Sequence, residues 1–151
     1  MKVCIFKGDT GSLETVYSRW KTEANWDDYG IDIDAETYRR DLQKLVDNKD
    51  AELLVLVNGD EVLGYIGITT FTSPFSNQKI ASEHYWYVLP EHRGIGSIRL
   101  LKAAFIWAKE NGCTHVLMNA SMLASDLHDK VCGIYEKMGM NKFETQYIMR
   151  L

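Results

Sequence analysis

At 151 residues, with 46% hydrophobic and 25% charged side chains, the chain is long enough to bury roughly two-thirds of its unfolded surface in one core. A net charge of −4 argues against nucleic acid as the main partner, because binding a phosphate backbone needs a basic face. No apolar run approaches the roughly 20 residues that span a bilayer, and the N-terminus lacks a signal-peptide layout.

Val3 to Phe6 reads as a short strand, and Lys7-Gly8-Asp9 turns the chain. Leu13, Val16, Tyr17 and Trp20 recur at helical spacing and predict a first helix. An acidic loop carrying Trp26 and Tyr29 follows. Asp34 is placed to cap a second helix, with Glu36 near its positive end. Tyr38, Leu42, Leu45 and Val46 give that helix its apolar stripe, and Asn48 its end. Glu52–Val57 and Val62–Phe71 predict a hairpin around Asn58-Gly59-Asp60-Glu61. After Pro74, a third strand over 81–89 completes a meander and stops at Pro90, which cannot donate to a sheet ladder.

Two glycines then interrupt the pattern in Arg93-Gly94-Ile95-Gly96. From Ser97 to about Asn111 the spacing of Ile98, Leu101, Phe105 and Ala108 predicts a helix, with Gly112 as its cap. Strand, glycine loop and helix together can hold a phosphate on unpaired backbone N–H groups, with Arg93 adding positive charge. The same glycines can equally serve only a strand-to-helix turn. Thr114–Ala120 predicts another strand and Ser121–Ser125 a polar connection. Leu127, Val131, Ile134, Tyr135 and Met138 line one face of a last helix that Gly139 stops, and Phe143–Met149 reads as a closing strand. With no repeat, low-complexity segment or linker, the expectation is a single α+β domain over 1–151.

Val88-Leu89-Pro90-Glu91-His92-Arg93-Gly94, with Leu100-Leu101 beyond it, resembles the pyrophosphate-binding segment of the GNAT superfamily of N-acetyltransferases. There a strand ending in Val-x-Pro leads into Arg-Gly-x-Gly-x-Gly and a helix beginning near Leu-Leu. Ile134-Tyr135-Glu136-Lys137-Met138-Gly139-Met140 is similar to the family's Leu-Tyr-Glu-Lys-x-Gly-Phe, and the order of elements is similar along the whole chain. The resemblance implies a mixed, mostly antiparallel central sheet flanked by helices, whose strands 81–89 and 114–120 splay apart for a pantetheine arm. It implies acetyl-CoA as cofactor, with CoA as product. The pyrophosphate would lie against Arg93, Gly94, Ile95, Gly96, Ser97 and Ile98, and the pantetheine along the backbone of Tyr87 and Val88. The glycines fit the family's pattern in two registers, one with Arg93 and Gly96 and one with Gly94 and Gly96, each shifted by about one residue from the common spacing, and both stay open. His128 stands where the family often has an asparagine that contacts the cofactor arm.

The resemblance also assigns the chemistry. Tyr135 would lie near the thioester sulfur and protonate the departing thiolate, as a neutral phenol can; a core tyrosine is the blander reading. Glu83 resembles a carboxylate that many members place on this strand as base, usually through water, and burial would raise its pKa toward neutrality. His84 is the other candidate base, histidine being the residue type suited to proton exchange near neutrality, and strand alternation sends the two to opposite faces. Cys4, Cys113 and Cys132 are far apart, show no metal-ligand spacing and fit free thiols in a reducing compartment. Direct transfer gives them no role, so the expectation is a cytoplasmic enzyme without a metal. Trp20, Trp26 and Tyr29, with Glu23, Asp27, Asp28, Asp32 and Asp34, suit a cationic amine acceptor, small molecule or protein. A homodimer stays open. The alternative is a non-catalytic acyl-CoA-binding or regulatory module of the same fold; a nucleotide-binding domain is disfavoured because the glycine loop follows an antiparallel meander.

Overall fold

The computed structural model describes all of residues 1–151. Strands β1 (Lys2–Ile5), β2 (Ala51–Asn58), β3 (Glu61–Thr72), β4 (Lys79–Val88) and β5 (His115–Leu117) form one sheet in that order. The first four pair antiparallel and β5 runs parallel to β4. Helices α1 (Glu14–Glu23), α2 (Ala35–Asp47), α3 (Ile95–Glu110) and α4 (His128–Lys137) flank it.

Alternation along β2 explains the two layers. Leu53, Val55 and Val57 join Leu13, Val16 and Tyr17 and the α2 residues Leu42 and Leu45 in one buried cluster. Leu54 and Leu56 point the other way, into a second cluster with Leu100, Leu101, Ala104 and Ala108 of α3 and Tyr135 of α4. Because both faces are covered, β2 reads as a nearly continuous apolar run rather than an alternating one. Burying each such leucine stabilises the fold by about 2 kcal/mol.

Local signals hold at several boundaries. Asp34 Oδ2 accepts from Thr37 N at 2.8 Å and starts α2, and Gly112 sits just past α3 at φ 77°. Three expectations are corrected. Helix α3 starts at Ile95, two residues before Ser97, because Gly94 takes φ 80° and ψ −105° as its N-cap. The strand expected over 114–120 shortens to His115–Leu117. Residues 143–149 form no strand: their period-2 apolar pattern covers no face, and Phe143 and Tyr147 are 79% and 94% exposed.

Candidate active site

The site is built where β4 and β5 part. Their ladder runs only from Ile80↔His115 to Ser82↔Leu117, after which β4 continues to Val88 with no strand beside it on that edge. Just past the ladder, Asn119 N–H donates to the Glu83 side chain at 3.0 Å, and Asn119 Nδ2 donates to the Glu83 carbonyl at 3.0 Å. A carboxylate thus takes the amide that a continued ladder would have paired.

A bulge in β4 sets which side chains reach this point. Gly67 pairs with Tyr85 and Ile68 with Glu83, so His84 has no cross-strand partner. The extra residue shifts the alternation: Ala81, Trp86 and Val88 pack with the α3–α4 cluster, while Tyr85 and Tyr87 pack with α1 and α2. Glu83 is 7% exposed and His84 is exposed, although both line the same cleft. Burial pushes the Glu83 carboxyl up to about 7, with the Asn119 hydrogen bonds opposing the rise. That places a proton acceptor in the neutral range.

Tyr135, on α4, donates its phenol O–H to the Asn119 carbonyl at 2.9 Å. Its ring stacks on Trp86, with centroids 5.8 Å apart. Burial, and then the nearby Glu83 charge, push its pKa well above the ordinary phenol value, so it is a proton donor and not an anion at neutral pH. Asn119 therefore ties Glu83 to Tyr135 through three hydrogen bonds. Sequence reasoning missed this residue; its only signal was an asparagine just past the apolar end of a strand.

The cleft measures about 560 Å³ and is lined by Trp20, Trp26, Tyr38, Tyr85 and Trp86 among others, together with Asp32, Asp34, Asp41 and Lys44. Trp20 stacks on Tyr38 at 4.6 Å and Tyr85 meets Tyr38 edge-on. Tyr85 O–H donates to Asp41 at 2.5 Å, which holds that carboxyl below its usual value. The indole N–H groups of Trp26 and Trp86 are buried and find no acceptor in the protein.

At the other end of β4, the first α3 amide with a carbonyl partner is Ile98 N, on Gly94 O at 3.0 Å. The N–H groups of Ile95, Gly96 and Ser97 come before it, at the positive end of the helix. The two glycines have separate tasks. Gly94 supplies a backbone turn that other residues rarely adopt, with open space around it. Gly96 lets α3 lie close on β2, since a Cβ there would come 2.7 Å from Leu56 Cδ2. Ile98 is half-buried and Ser97 is buried.

Arg93 departs from the expected arrangement. Its Nη2 donates to Glu23 Oε2 at 2.6 Å, its Nε to the Val88 carbonyl at 2.9 Å, and the guanidinium lies 5.4 Å from the Tyr87 ring centre. Tyr87 O–H also donates to Glu23, at 2.6 Å. The guanidinium thus satisfies a half-buried carboxylate on α1. The loop's remaining anion-binding capacity is in backbone N–H groups. His128 opens α4 and lines the cleft, with Nδ1 on Asp129. No group of side chains has the composition of a metal site, and no helix is long and apolar enough to cross a membrane.

The sheet therefore opens beside a buried carboxyl, with a helix N-terminus at the end of the same strand. The sequence pattern of the Acetyltransferase (GNAT) family matches residues 17–140, and the chain belongs to this family. The fold is that of solved structures with low sequence identity. A protein from Bacillus halodurans C-125 described as a transcriptional regulator has TM-score 0.77 and 20% identity, over 99% of each chain. An aminoglycoside acetyltransferase from an uncultured soil metagenomic sample has TM-score 0.73 and 15% identity, over 99% of this chain and 95% of that one. The ribosomal-protein-alanine N-acetyltransferase of Brucella melitensis biovar Abortus 2308 has TM-score 0.71 and 15% identity, over 100% of both. No curated protein matches the chain.

Proposed function

We propose that the chain is a single-domain N-acetyltransferase that moves the acetyl group of acetyl-CoA directly to a primary amine. The observation that carries this reading is the buried Glu83 carboxyl, held by Asn119 at the point where β4 and β5 part. Acetyl-CoA supplies an activated acetyl thioester when bound. The residues present fit it: free amides at Ile95, Gly96 and Ser97 suit the pyrophosphate, with Arg93, Gly94 and Ile98 shaping that turn. The open edge of β4 at Tyr87 and Val88 suits the pantetheine amides, and His128 lies where the arm would pass α4.

Glu83 takes the proton that an ammonium must lose before nitrogen can attack, directly or through one water. Asn119 holds the carboxylate in one orientation, so little reorganisation is needed at the moment of transfer. Tyr135 would turn its O–H from the Asn119 carbonyl to the sulfur of a bound acyl-CoA, and Trp86 fixes its ring. Aromatic walls with Asp32 and Asp41 favour a cationic acceptor, small molecule or protein.

The test is amine-dependent release of free CoA from acetyl-CoA, in the wild type and in Tyr135→Phe. Phenylalanine keeps the stacking and removes only the hydroxyl, so a stability loss of about 1 kcal/mol is expected. The expected result is a kcat lower by about ten-fold or more with acetyl-CoA affinity unchanged. An unchanged kcat would remove the proton-donor role, and no CoA release with any amine would favour the non-catalytic module.

A further inference from the structure

Three side chains at the start of α4 form an arrangement whose thiol direct transfer to an amine does not use. With its Nδ1 protonated, His128 donates to Asp129 Oδ1 at 2.9 Å. That bond leaves Nε2 as the bare lone pair, and Nε2 lies 3.8 Å from Cys132 Sγ, within reach of an S–H donor. A nucleophile, a base and a group that orients the base thus stand in the order that activates thiols for acyl transfer.

Positions 128, 132 and 135 fall on one stripe of the helix, being four and three residues apart. His128 lines the cleft, and Tyr135 bonds Asn119, which lines it too. Cys132 lies between these two positions on the stripe, half-buried and next to Val131, which also lines the cleft. Neither Cys4 nor Cys113 has a histidine partner; Cys4 is exposed on β1, and burial pushes the Cys113 thiol up.

We propose that Cys132 is an S-acylation site, a second acyl acceptor that takes the acyl group of a bound acyl-CoA when no amine is present. His128 acts as its base. The inference rests on the acyl-CoA reading above. Nε2 of His128 takes the thiol proton, and Cys132 Sγ bonds to the acyl carbon as the carbon–sulfur bond to CoA breaks. The proton then passes from His128 to the leaving sulfur. The products are S-acyl Cys132 and free CoA, with no oxidant or reductant consumed.

The reduced full-length protein is incubated with acetyl-CoA and no amine, and the adduct is located by peptide mass mapping. The expected result is one acetyl group on Cys132, released by neutral hydroxylamine and absent in Cys132→Ser and Cys132→Ala. In His128→Gln its formation is expected to be slower by at least about ten-fold. Iodoacetamide needs no bound CoA, and it is expected to alkylate Cys132 faster than Cys113 in the wild type. Calorimetric titration with CoA separates the two readings. If CoA binds but Cys132 stays unmodified, if the adduct forms on Cys4 or Cys113, or if His128→Gln reacts at the wild-type rate, this inference falls and the acetyltransferase reading stands. If CoA does not bind, both fall.

Discussion

Glu83→Gln is expected to lower kcat/KM by about 100-fold or more. Glutamine keeps an oxygen for the Asn119 N–H and fills the same volume, so the loss would come from the missing proton acceptor. The wild-type rate should rise with pH through about 7, where burial holds the Glu83 carboxyl, because only the ionised form accepts a proton. In the variant that limb should be absent. An unchanged rate, or the same limb in the variant, would assign the base elsewhere, with His84 next to be replaced.

The same substitution has a stability signature of opposite sign. The folded chain holds the Glu83 proton more tightly than the unfolded chain, where the carboxyl titrates near its ordinary value. The contribution of this group is therefore fully present below about 4.5 and is lost as pH rises through about 7. A displacement of that size corresponds to about 3 kcal/mol. Glu83→Gln should accordingly be more stable than the wild type at pH 8, with the difference shrinking toward pH 5, as read by urea denaturation at each pH. A catalytic loss with a stability gain at alkaline pH would separate a functional carboxylate from one that serves the fold.

The largest stability effect is expected at Gly64, on the pair Gly64↔Val88 that joins β3 to β4. A Cβ at that position would come 2.6 Å from the Tyr87 carbonyl oxygen and 2.8 Å from Val88 Cα. These are backbone atoms of a central strand, so they cannot turn aside as a flexible side chain would. Gly64→Ala should cost about 3 kcal/mol or more and lower Tm by about 10 °C. The displaced segment is also the edge proposed to bind pantetheine, so acetyl-CoA affinity should fall in protein that still folds. Gly59→Ala is the control: Gly59 has φ 60° but open space around it, in a hairpin turn. It should cost only about 1 kcal/mol and leave affinity unchanged. Equal losses in the two variants would show that the strand contact at Gly64 carries no special weight.

Local chemistry was the legible part of this chain. The Asp34 cap, the Asn58-Gly59 hairpin, the turn at Pro90 and the α4 stripe through Tyr135 each depend on neighbours within a few residues. Long-range polar pairing was not legible. Nothing near Arg93 in the sequence points to its partner Glu23, which lies 70 residues away on another element. Asn119 showed no periodicity, and its value comes from touching Glu83 and Tyr135, 36 and 16 residues distant. The bulge at His84 was equally hidden, since alternation predicts faces only while every residue keeps a partner. Phe143–Met149 failed in the opposite direction, with a strand pattern present and no face to cover.

Calorimetric titration of the purified protein with acetyl-CoA, with NAD and ATP as controls, tests the central claim most directly. The account predicts saturable binding of one acetyl-CoA per chain, weakened in Gly64→Ala and absent for both controls. Absence of acetyl-CoA binding would contradict it, leaving Glu83 and the α3 N-terminus as features of a fold that has lost its cofactor.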